Sequence, residues 1–361
     1  MTRRQRNEST RAGWSGPFPQ RSRLRRGVAG AGLVMMLGIV TPGPGAAQEA
    51  ASGDHKPAQA AGSPAGKGES IHFAPKARKL SVYEQMVRVQ ITNLDVSFEA
   101  PEPYRESFAY WTGRMKNISK TELIEFMISS MEPNPDGLIP FKRQARRFMI
   151  EIARNGRPME PYGSLQRDVT TLVWDGLLDR FGNVVELEKV AGKDNPKMED
   201  LSFPLLNSVQ PKLEPMNLKE GEGFKDVMAL PLPSRIKIKG IENVGLIRTR
   251  EYILDRVLHT RANFRIVTTF ANDPKLVPDV PETFCRISGG GEGTASFDLK
   301  RGVFVSQRDV ARLKINIEAP LRPLPEKPET NEGGRATTTL DLEIRTTLQQ
   351  KVKRVWGEDE D

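Results

Sequence analysis

Apolar residues recur along this chain with two different periods, and the change between them falls near residue 165. Tyr104, Phe108, Trp111 and Met115 are spaced by four, three and four, which places them on one helical face. Ser119 and Glu122 then form a capping box ahead of Leu123, Ile124, Met127 and Met131, a helix-start signature. A third stripe, Phe141, Ala145, Phe148, Met149 and Ile152, lies opposite Lys142, Arg143, Arg146 and Arg147, with Asn155-Gly156 as its stop. Beyond residue 165 the period is two. Val169, Thr171 and Val173 lead to a turn at Asp179 to Asn183, after which Val185 and Leu187 alternate with Glu186 and Glu188. Further alternation marks 235–239, 250–257, 263–270, 311–319 and 337–348, with short polar turns and no helical pattern between them. The pattern predicts an α+β fold: a helical segment over 76–160, with two to three amphipathic helices, packed with a larger curved antiparallel β-sheet over 161–350. A charged tail, 351–361, follows.

The amino terminus changes the picture of where the protein works. A basic lead ending in Arg25-Arg26, an apolar run from Gly27 to Val40 and the small residues before Ala47 predict a signal peptide over 1–47. The run is too short for a comfortable permanent span, so no permanent transmembrane anchor is expected after cleavage. Residues 48–75, rich in Ala, Gly and Pro, read as a disordered linker. These features predict an exported protein, periplasmic or extracellular.

Charge then excludes one class of partner. The chain carries a net charge of +8, but residues 1–47 hold eight arginines and one glutamate and so account for +7 of it. The remainder stands at +1, and the electrostatic case for a nucleic-acid partner fails.

Candidate chemistry is sparse. Cys285 is the only cysteine, so no internal disulfide forms; its apolar surroundings suit a buried, inert thiol better than a reactive or intermolecular one. The three histidines, His55, His72 and His259, lack metal-ligand spacing. The glycine cluster Gly289 to Gly293 lacks the third glycine of a dinucleotide fingerprint, with Ser296 in its place, and no Gly-Lys-Ser/Thr closes it. It reads as a flexible lead into a strand, with Lys300-Arg301-Gly302 turning the chain into the next one. Catalytic and cofactor-binding residues are therefore assigned as none. Glu186 and Glu188 on one strand side keep open a hydrolase using paired carboxylates on a glycan. Basic strand faces, Arg235, Lys237 and Lys239 with Arg248, Arg250 and Arg256, suit anionic lipid headgroups or acidic envelope polymers.

Residues 132–143, between two expected helices, resemble the calcium loop of EF-hand proteins: Glu132, Asn134 and Asp136 stand at the first, third and fifth places, and Gly137 at the sharp turn. The resemblance, over 119–154, implies a weak calcium site on those three residues. It departs from the family at the twelfth place, where Arg143 replaces the bidentate glutamate. From Lys219 to Phe224 onward, the order of a Pro-containing connector, the REYILDRV and NFRIVTTF strands, and a glycine cluster followed by Ser-Phe-Asp and Gly-Val-Phe-Val resembles a family of uncharacterised secreted bacterial proteins with a β-rich domain of unknown function, over about 165–350. That resemblance implies a curved antiparallel sheet in the cell envelope and transfers no site. The functional expectation is a non-catalytic exported envelope protein whose β-rich domain binds an apolar or amphiphilic ligand or a protein partner. The partner would be an envelope lipid, polymer or protein.

Overall fold

The computed structural model describes residues 70–355 apart from 103, 106–111, 114, 160–162, 194–209, 232–244, 275–281 and 322–333. The expected signal peptide, nearly all of the linker, and the Arg235, Lys237 and Lys239 face lie outside the described residues. The elements are β1 (Ile71–Phe73), β2 (Ser81–Glu99), β3 (Ile118–Ser130), β4 (Ile139–Arg154), β5 (Arg157–Pro158), α1 (Gly163–Val169), β6 (Val173–Leu178), β7 (Val184–Ala191), β8 (Met216–Leu218), β9 (Gly223–Pro231), β10 (Gly245–Leu258), β11 (Arg261–Asn272), β12 (Phe284–Asp298), β13 (Val303–Pro320) and β14 (Arg335–Val355). Twelve strands form one sheet in the order β7-β6-β4-β3-β2-β14-β13-β12-β11-β10-β9, with β5 beside β4; β1 and β8 form a separate pair. Neighbouring strands are antiparallel throughout.

The α+β expectation is therefore corrected to an almost wholly β fold. The segment read as two or three helices, 76–160, holds β2, β3, β4 and β5, and the continuous helix among the described residues is α1. Helical turns occur between β2 and β3 at Tyr104, Arg105, Thr112, Gly113 and Met115; Phe108 and Trp111 lie outside the described residues. The expected helix-stop Asn155-Gly156 is a hairpin turn from β4 to β5, with positive φ at both residues, as a tight two-residue hairpin requires. At the ends of the expected domains, β1 occupies part of the linker and β14 continues to Val355.

Two apolar clusters fill the inward face. The larger draws Val87, Val89 and Ile91 from β2, Ile124 and Phe126 from β3, Leu313 and Ile315 from β13 and Leu342 from β14, and also Leu230, Leu246 and Phe270 from β9, β10 and β11. A core shared by both wings requires the sheet to curl round it. The second cluster gathers Phe264, Phe297, Phe304 and Tyr252 about Phe73 of β1, whose ring centroid lies 4.1 Å from that of Phe297. β1 thus contributes a core anchor at a place where composition alone reads as linker.

The curl is sharpest at β12. Strands two apart in a flat sheet stand about 9.6 Å from one another, yet Cα atoms of β11 and β13 come within 8 Å across β12. Gly291 and Gly293 permit it: a Cβ on Gly291 would lie 2.1 Å from the Val310 carbonyl oxygen, and one on Gly293 2.4 Å from that of Arg308. The glycine cluster therefore sits inside a strand and bends it.

Candidate ligand groove and buried polar belt

On the outward face, β3, β2, β14, β13 and β12 frame a groove of about 630 Å³, within the size range of ligand pockets. Strand register builds its main row. Leu123 stands beside Arg88, Arg88 beside Thr347, Thr347 beside Arg308, and Arg308 beside Thr294. Directly opposed residues on an antiparallel sheet share a face, so these side chains project together. Gln90 and Arg345 oppose each other in the next row. The guanidinium of Arg345 is held by Glu343 at 2.7 Å. Arg88 and Arg308 have no such neutralising partner among the described residues. Met86 and Leu123 add apolar surface at one side. The lining carboxylate, Asp309, is turned inward. The groove therefore presents hydrogen-bond donors and uncompensated positive charge, which suits an anion rather than a reaction.

Beneath the groove runs a buried polar belt. Arg250 is 1 % exposed and donates to both Asp309 carboxylate oxygens, at 3.2 and 3.1 Å, and to Thr346 Oγ1 at 3.3 Å. Thr346 also donates to Asp309, Gln307 donates to it at 3.4 Å, and Tyr252 donates to Gln307 at 3.2 Å. Arg248 lies 4.0 Å from Asp226 in the same layer. Burial alone would weaken the proton affinity of Arg250, but the charges of Asp309, Tyr252 and Asp226 and the hydrogen bond to Asp309 together outweigh it, and the net direction is upward. Arg248 is pulled down to about 10, first by burial and then by the charge of Arg250. This belt orders the inside of the sheet and leaves Arg250 and Asp309 no access to solvent.

The sequence-derived sites fare differently. Arg248 and Arg250, expected on an accessible basic face, are buried, while Arg256 is exposed. Arg143, expected on the polar side of a helix, is also buried; it lies 3.5 Å over the Phe126 ring and donates to Gln85 at 3.2 Å. Glu186 and Glu188 sit on β7, where every residue except Leu187 is exposed, and no second wall faces them among the described residues. Glu132, Asn134 and Asp136 fall in the β3–β4 hairpin loop, so the helices expected around them are strands. Asn134 Oδ1 already accepts from the Asp136 and Leu138 amides at 3.1 and 2.9 Å, and Glu132 pairs with Lys79 at 3.6 Å. Cys285 is partly buried, and burial pushes its thiol up to about 11.

The groove residues Arg88, Arg308 and Thr347 escaped the sequence reading because they come from three strands far apart in sequence. Their common signal was an outward parity on strands whose other parity is apolar. That signal was readable for Arg308 in the segment before 311–319, but β2 had not been recognised as a strand.

No family model matches the chain, and no curated protein matches it. Among solved structures, an outer membrane channel from Pseudomonas putida F1 is similar at 7% identity, with 76% of this chain and 97% of that chain covered and a TM-score of 0.20. Pseudomonas aeruginosa OccK11 (OpdR) is similar at 8% identity over 79% and 100%, with a TM-score of 0.20. Salmonella typhi OmpF in complex with daunomycin follows at 10% identity over 78% and 100%, with a TM-score of 0.19. These superpositions are too loose to transfer topology or function. The outer face also differs in kind from a lipid-facing surface: it carries Arg308, Arg312 and Lys314 on β13 and Asp341, Glu343 and Arg345 on β14, where a membrane-spanning barrel turns an apolar band outward.

Proposed function

We propose that the protein is a non-catalytic binding protein of the bacterial cell envelope, and that its ligand is negatively charged and held at the outer groove. The observation that carries this reading is the pair Arg88 and Arg308, aligned on one face across Thr347 with no acid in ion-pair contact with either among the described residues. The packed inward clusters favour this outer site over an enclosed apolar cavity. The signal-like amino terminus supports the envelope location. Purification from an exporting host followed by native mass spectrometry tests it. An anionic species should accompany the wild-type protein and be lost from the Arg88→Ala, Arg308→Ala double variant at unchanged thermal midpoint. Equal retention by both proteins would remove the groove from consideration.

A further inference from the structure

The arginine row does not stop at the groove. Arg265 on β11 opposes Thr294 of β12, so the outward row continues from Arg88 through Thr347, Arg308 and Thr294 to Arg265. All three arginines are exposed, and among the described residues none has a hydrogen-bond or ion-pair partner. They recur on every second strand, β2, β13 and β11, and the step from Arg308 to Arg265 crosses the bend at β12. Threonine hydroxyls separate them. One flanking row supplies Gln349 of β14, Ser306 of β13 and Ser296 of β12, which oppose one another in turn, and the other holds Arg345, Val310, Glu292, Val267 and Glu251.

A single small anion would use one or two of these guanidinium groups and leave the third unengaged. An extended chain with negative groups along one side would engage all three, with hydroxyl and amide side chains beside it to meet a hydroxyl-rich backbone. An anionic membrane would meet a surface on which the apolar side chains Val310, Val267 and Ile253 are interspersed with Arg345, Glu292 and Glu251, and with Met86 and Leu123 at the other end they form no continuous apolar rim to insert. Three arginines in one row, none in an ion pair among the described residues, on a chain that is nearly neutral beyond residue 47, therefore favour a linear polymer.

We infer that the ligand is an acidic polysaccharide lying across the strands, with successive carboxylate or sulfate groups on Arg88, Arg308 and Arg265. This inference rests on the outer groove being the ligand site. Calorimetric titration of the full chain with galacturonate, and with oligogalacturonates of two, four and eight sugars, tests it, alongside neutral dextran and phosphatidylglycerol vesicles. Affinity should rise by about tenfold or more from monomer to the longer oligomers and fall by about tenfold for each of Arg88→Glu, Arg308→Glu and Arg265→Glu. Raising the salt concentration should weaken it, and Lys314→Glu, elsewhere on the outer face, should leave it unchanged. Equal affinity for monomer and octamer, or an Arg265→Glu variant that binds as the wild type does while Arg88→Glu fails, would overturn the linear polymer and leave the groove reading standing. So would binding to vesicles without binding to oligomers. Failure of every anionic probe would overturn both.

Discussion

Arg250 on β10 reaches Asp309 on β13 over two intervening strands, its Nη2 standing 3.1 Å from the carboxylate. The contact exists only because the sheet bends at β12. It gives a stability prediction. Asp309→Ala leaves the guanidinium buried beside a void, and should cost about 3–5 kcal/mol. Urea unfolding should show this as a lower midpoint, and the Arg250→Met, Asp309→Leu pair should recover most of the loss. A single variant as stable as the wild type would show that the belt contributes nothing.

The bend itself can be tested. Gly291→Ala puts a methyl against the Val310 carbonyl, an overlap that rigid neighbouring backbone must absorb, so the variant should lose about 1–3 kcal/mol or more. Gly113→Ala, whose new Cβ would meet nothing within 4 Å, should stay within about 0.5 kcal/mol of wild type. Paired thermal melts of the two variants provide the comparison.

Phe148 and Met149 distinguish the strand from the helix. On the helical stripe both would be buried; on β4 Phe148 is 4 % exposed and Met149 42 %. Phe148→Ala should cost about 3–5 kcal/mol, and Met149→Ala within about 0.5 kcal/mol, by chemical denaturation.

The same residues explain how much of the fold was legible. The alternating segments 250–257, 263–270, 311–319 and 337–348 fall on β10, β11, β13 and β14, whereas the glycine cluster read as a lead into a strand lies inside β12. The β2 to β4 region misled for a physical reason. A spacing of four, as between Leu123 and Met127, keeps one face of a helix and also one face of a strand. The deciding residues were Phe126 and Ile128, which continue the inward parity of Ile124. In β4 the register shifts opposite Glu125 and Phe126, leaving Arg146 as an extra residue. That bulge flips the inward parity from Phe141, Arg143 and Ala145 to Phe148 and Ile150, and an Ala145-to-Phe148 step of three then imitates a helix. The groove was less legible still, because its arginines meet only through cross-strand register. The buried Arg248 and Arg250 were misread because alternation identifies two faces of a strand without saying which is inside.

Alkaline pH should weaken the fold. Burial pushes Cys285 up to about 11 and Tyr83 and Tyr252 up to about 12. For each, the folded state keeps a proton that the unfolded chain has released, so stability is present below the ordinary pKa and declines as pH rises above it. Urea midpoints should fall between pH 8 and about pH 11, and less steeply in Cys285→Ser. A flat profile over that interval would contradict the burial of these groups.

Calcium should produce no heat on titration into the protein at about millimolar concentration, since Asn134 Oδ1 caps its own loop and Glu132 is paired with Lys79. A saturable exotherm lost in Asp136→Asn would show that the loop can open around the ion.

β14, the last strand to be synthesised among the described elements, lies in the middle of the sheet, between β2 and β13. Until its 21 residues have emerged, the chain holds two half-sheets, each with an unpaired edge where β14 will go. Folding must then finish with a long-range closure that joins the first long strand to the last, which makes it slow for its size. A break near Arg335 would remove the keystone between the halves, whereas losing β7 at the margin would leave the seam intact.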